Sequence, residues 1–91
     1  MTDALVLAPK LDLAAASALM TTLRENDKDD MIVDMSEVKH LGALCLQVLL
    51  SAASTAHSQN RKFSITKVSD RAMEQMRVMG MTPESLERGR Q

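Results

Sequence analysis

Tryptophan and tyrosine are absent from the 91 residues, and Phe63 is the one phenylalanine. Surfaces that hold single-stranded nucleic acid stack bases on aromatic rings and follow the backbone with a basic groove. Neither is available here: 11 Lys and Arg stand against 12 Asp and Glu, for a net charge of -1. Nucleic acid is therefore not an expected partner. The lack of aromatics also removes the ring walls of many small-molecule pockets. Cysteine occurs once, at Cys45, which leaves no intrachain disulfide, no thiolate set for a metal, and a fit to a reducing compartment. Glycine occurs three times, and none falls in the turn Ala8-Pro9-Lys10-Leu11-Asp12 that follows the first apolar run. With no GxxxxGK[ST] anywhere either, a phosphate cradle is not expected. No apolar run is long enough to span a bilayer, and Met1-Thr2-Asp3 lacks the basic start of a signal peptide. A cytoplasmic protein without direct membrane insertion is expected.

What is present is an ordinary globular composition, 45% hydrophobic, in a length that suits one small domain. Methionine, with eight residues, supplies much of the apolar filling. Adaptable core packing is the plainer reading, and a plastic partner-binding surface the sharper one.

Along the chain, residues 4–8 (ALVLA) form a short apolar run closed by Pro9, as a strand end or edge strand would be. Asp12 is placed to cap a helix, and Leu13, Ala16, Leu19, Met20 and Leu23 paint one stripe on it as far as about Glu25. Residues 26–30 read as a charged turn. Residues 31–35 form a strand apolar enough for the inside of a sheet. A polar bend through Asp34, Ser36 and Glu37 leads to an exposed loop at 40–43. A helix from Leu44 to about Gln59 follows, expected to be the most buried of the set, with Leu46, Leu49, Leu50, Ala53 and Ala56 at helical spacing and His57 on its rim. Asn60-Arg61 breaks that helix. Lys62 to Thr66 alternates as a half-buried strand. Ser69 caps a helix that bears Ala72, Met73, Met76 and Met79 and ends at Gly80. Thr82-Pro83-Glu84 starts a short further turn of helix anchored by Leu86. The order strand–helix–strand–helix–strand–helix predicts an α/β domain over residues 4–87, its parallel or mixed sheet packed with helices. A frayed basic tail is expected at 88–91.

No catalytic constellation stands out. His40 and Cys45, five residues apart, invite a base–nucleophile reading. A thiol set between Leu44 and Leu46 is, however, more readily a small core hydrophobe. Asp27, Asp29 and Asp30 lack calcium-loop spacing and read as a solvated turn. No metal, no cofactor and no enzymatic activity are expected.

Residues 31–51, MIVDMSEVKHLGALCLQVLLS, resemble the central segment of the STAS family, the domain shared by sulfate transporters and anti-sigma factor antagonists. That segment runs as an apolar strand, Asp-Leu-Ser, an apolar pair, then Asp-Ser-Ser-Gly-Leu opening an apolar helix. Ile32-Val33-Asp34-Met35-Ser36-Glu37-Val38 follows its first half, and residues 46–50 match its helix. Leu11-Asp12 and the alanine-rich helix with Leu19 and Leu23 are similar to the family's Gly-x-Leu-Asp segment, Pro9 standing where the glycine would be. The resemblance covers residues 4–80. It implies that the family's extra N-terminal strand and a final strand are absent or reduced here.

The chain departs from the pattern at the loop. The resemblance puts Gly42 at the family's Asp, Cys45 at its Gly, and Ala43 at the serine that a partner kinase phosphorylates. Ala43 has no hydroxyl, and Ser36 matches a structural serine, so no phosphorylation is implied at this loop. In the family the dephosphorylated form binds the anti-sigma kinase, since phosphate there adds repelling charge. The implied function is a bacterial non-enzymatic regulatory module in signal transduction. It would bind a protein partner (a histidine-kinase-like ATPase, an anti-sigma factor or a chemotaxis protein) through Asp34, Ser36, His40, Leu41, Gly42, Ala43, Leu44 and Cys45. The alternative is a cytoplasmic accessory subunit of a lipid or anion transporter. A homodimer is compatible with either.

Overall fold

The computed structural model describes residues 4–26 and 30–89. Two parallel ladders organise the chain. The main sheet holds β1 (Leu5–Val6), β3 (Asp30–Asp34) and β5 (Lys62–Thr66) in the order β1-β3-β5, with β3 in the middle. Its register sets Leu5 beside Val33 and Val33 beside Ile65. The second ladder joins β2 (Lys10–Leu11) to β4 (His40–Leu41). The helices are α1 (Ala16–Glu25), α2 (Ala43–Ser58), α3 (Asp70–Val78) and α4 (Pro83–Glu87). This is a small α/β domain in which every strand pairing is parallel, so each connection crosses over rather than turning back.

The local chemistry explains the elements. The Asp12 carboxylate accepts the Ala15 amide at 3.1 Å and starts a 3-10 turn, Leu13–Ala15, that runs on into α1. Ser69 caps α3 by accepting from the Ala72 amide. Thr82 and Ser85 cap α4 reciprocally, with Pro83 at its first position. Gly80 takes a φ of 76° beyond the end of α3, a conformation glycine adopts without cost. Asn60 takes a φ of 58° just past α2, the left-handed position that asparagine tolerates better than most residues.

One core joins both ladders. Val33, Met35, Cys45, Leu49, Ala53, Ala72, Met76 and Leu86 are fully buried within it. The helix α2 contributes six of the buried residues, in keeping with its broad apolar face. Methionine is divided between core and surface. Met31, Met35, Met76 and Met81 are buried, while Met20 and Met73 are exposed.

Three placements differ from the sequence reading. The residues read as a turn at 8–12 and a loop at 40–43 form β2 and β4; strands of two residues carry no alternation for a pattern to detect. In the stripe on α1, Ala16, Leu19 and Leu23 are buried, but Met20 is exposed on the helix flank and Leu13 is 76% exposed. Leu13 belongs to the 3-10 turn, whose three residues per cycle rotate it off the face that a 3.6-residue period would give it. At the C-terminus, the Arg88 and Gly89 amides bond back to Glu84 and Leu86. Of the tail expected to fray, Arg90 and Gln91 lie outside the described residues, as do Asp27 and Asp29 of the charged turn.

Candidate functional site

The candidate edge is assembled where β4 hands over to α2. Main-chain bonds from β2 hold it: the Lys39 and His40 amides both donate to the Pro9 carbonyl, at 2.8 and 3.0 Å, and the Gly42 amide donates to the Leu11 carbonyl at 2.8 Å. In-register parallel neighbours point the same way, so Lys10 and His40 stand side by side in solvent while Leu11 and Leu41 go into the core together. From the other side, the Leu41 amide donates to the Gln75 carboxamide on α3. The Ser69 hydroxyl donates to the Val38 carbonyl. The segment 38–41 is thereby stitched to α3 at its cap, Ser69, and in its middle, Gln75.

Gly42 is the N-cap of α2 and makes no side-chain cap. A β-carbon there would stand 3.0 Å from the Leu11 carbonyl oxygen and 3.8 Å from His40 Nε2. Close approach of β2 therefore calls for glycine at this position. Ala43 and Leu44 follow on the exposed side of the first turn, with Leu44 47% exposed. Cys45 points the other way, is fully buried, and its thiol donates to the Asp12 carbonyl at 3.3 Å. Burial pushes that thiol's pKa up, and the Asp12 carboxylate adds to the effect. A high pKa and no solvent access are the opposite of what an activated nucleophile needs.

Asp34 is a buried carboxylate at the end of β3. Its Oδ1 accepts the Ser36 amide at 2.8 Å, and Lys67 Nζ lies 4.0 Å from its Oδ2. The bonds from Ser36 hold its carboxyl below the ordinary range; Lys67 adds a smaller pull against the opposing effect of burial. Lys67 itself has a φ of 53°, uncommon for a side chain of that size.

The eight residues picked out by sequence thus divide into two sets. Ser36, His40, Ala43 and Leu44 are exposed and Gly42 is partly so, whereas Asp34, Leu41 and Cys45 are buried beneath them. Sequence reasoning missed Leu13 and Lys10. The 3-10 turn bearing Leu13 contacts α2, and the bond from Cys45 to the Asp12 carbonyl joins the residue before that turn to the first turn of α2. His57 is exposed on the rim of α2 as expected, and its Nε2 donates to the Glu87 carbonyl at 2.7 Å.

Among the described residues, no group of three or more His, Cys, Asp or Glu is placed to hold a metal ion, and no helix is long and apolar enough to cross a membrane. At the far end of α1 and α2, a groove of about 550 Å³ lies between Met20, Leu23, Val48 and Thr55. No curated protein and no solved structure matches the chain. A family model does, the one described as "Mlab, STAS domain", over residues 1–86. Nearly the whole chain is covered by that match, and the protein belongs to the STAS domain family.

Proposed function

We propose that this protein is a non-enzymatic STAS regulatory module that docks a signalling protein through Ser36, His40, Gly42, Ala43 and Leu44, without serine phosphorylation at that loop. Asp34, Leu41 and Cys45 act from below, by holding those residues in place. The observation that carries the reading is the start of α2: an exposed methyl at Ala43 beside an exposed Leu44, with exposed Leu13 on the adjoining turn. These three side chains carry no charge to strip of water when a partner covers them, so their burial is favourable from the outset. A hydroxyl is missing where the family carries its phosphorylated serine, so the surface stays permanently competent to bind. Its partner is a histidine-kinase-like ATPase, an anti-sigma factor or a chemotaxis protein.

The experiment is affinity capture from the native cell with wild type and Ala43→Glu, followed by mass spectrometry. Glutamate in the first turn of a helix suits the macrodipole, so the variant should keep its circular dichroism spectrum. It should retain the signalling partner at least about tenfold less well, because a carboxylate would have to be buried. Equal capture by both proteins would remove this surface from the interface. Capture of a transporter ATPase in place of a signalling protein would favour the accessory-subunit reading.

A further inference from the structure

The two edges of the main sheet are treated differently by their own chain. On the β5 side, the outward amide of Ile65 donates to Glu87 Oε2 of α4 at 2.7 Å. Part of that edge is thus covered by α4. On the β1 side, Leu5 and Leu7 face β3; the Leu7 amide donates to the Asp34 carbonyl at 3.0 Å. In a parallel ladder the alternate residue then turns both its amide and its carbonyl outward. Here that residue is Val6, which is 55% exposed and has no main-chain partner among the described residues. A shallow cleft of about 220 Å³ runs beside it between β1 and α1, lined by Leu5, Val6, Ala15, Ala18 and Thr22 among others, with no charged side chain. Edge strands in monomeric proteins are normally blunted by charge, proline or a covering element. Residues 4–8 carry no charge, and Pro9 closes only their end.

We infer that β1 is a self-association edge, and that two copies pair through it antiparallel about a two-fold axis at Val6. In that register the Val6 amide of each copy donates to the Val6 carbonyl of the other, and Ala4 comes opposite Ala8. The two sheets become one of six strands. A second copy is favoured as occupant by charge: an isologous contact sets the same strip against itself, which a strip of one charge sign would oppose and this uncharged one does not. Ala15 and Ala18 on α1 also let a neighbouring backbone come close. An isologous contact about that axis uses the β1 edge of each chain, so this pairing closes at two copies. The strip is small beside the usual dimer interface of about 800 Å² per partner, so the dimer should be concentration-dependent.

Sedimentation velocity on the full chain, from about 5 to about 500 µM, tests this, since interfaces of this size dissociate within that range. The weight-average mass should climb from the monomer's 10.0 kDa towards twice that value. Val6→Lys places like charges opposite each other, and Val6→Pro removes the outward amide while leaving the bonds to β3. Each should weaken dimerisation at least about tenfold with an unchanged circular dichroism spectrum, and Ala43→Glu should dimerise like wild type. A wild type that stays at the monomer mass throughout overturns the inference. So does a dimer that both Val6 variants keep, or one that Ala43→Glu abolishes.

Discussion

The Cys45 thiol donates to the carbonyl of Asp12 at 3.3 Å, tying the first turn of α2 to the cap of the 3-10 turn that leads into α1. A sulfur held this way, fully buried and with its pKa raised by burial and by the Asp12 carboxylate, should react only when the domain opens. Ellman's reagent at pH 8 should label native protein orders of magnitude more slowly than protein in denaturing urea. Rapid native labelling would bring a thiol chemistry back into consideration.

Gly42 sits where a β-carbon would press to 3.0 Å on the Leu11 carbonyl oxygen. Both sides of that contact are main chain and yield little. Gly42→Ala should destabilise the domain by about 1–3 kcal/mol, read as a lower urea midpoint. A neutral effect would mean that β2 and β4 separate easily.

Gly89 poses the same question more severely. Its φ is 75°, and a β-carbon there would lie 2.6 Å from the Ser54 amide nitrogen on α2. Gly89→Ala should push the end of α4 away from α2. Hydrogen exchange should then speed up at the Ile65 amide, which α4 covers through Glu87. Unchanged protection at Ile65 would show that the edge holds without this contact.

Asp34 gives the fold a pH dependence of definite sign. Its folded pKa lies below the ordinary aspartate value, near 3.9. The folded state therefore binds fewer protons than the unfolded one in the window beneath that value. The stabilisation is fully present above about pH 5, where the unfolded aspartate is also ionised, and is lost as pH falls through the lowered folded pKa. Urea midpoints measured from pH 6 down to pH 3 should bring wild type and Asp34→Asn closer together as the acid end is approached. Parallel profiles would show that the bonds from Ser36 do not favour the ionised carboxylate. Lys67 is too exposed to dominate the effect.

Much of the architecture could be read from periodicity and caps. Val33 inside the sheet, the broad apolar face of α2, the Ser69 cap and the Thr82-Pro83 start each declare themselves within a few residues. The β2–β4 ladder does not, because Lys10-Leu11 and His40-Leu41 acquire a strand's alternation only from each other. Which site residues face outward follows from that ladder. With Leu41 paired to Leu11, His40 must turn to solvent, and the next helical turn buries Cys45 while leaving Ala43 and Leu44 outside. The exposure of Leu13 depends on the tighter winding after Asp12, which a 3.6-residue stripe hides.

The β2–β4 ladder also makes the candidate docking face a discontinuous epitope. Leu13 and Lys10 come from one stretch of chain and His40 to Leu44 from another, brought together by two pairs of residues and a glycine that lets them touch. A synthetic peptide copying residues 36–50 would reproduce the letters without the face and should not compete for the partner. An antibody raised against the native face should fail on the denatured chain.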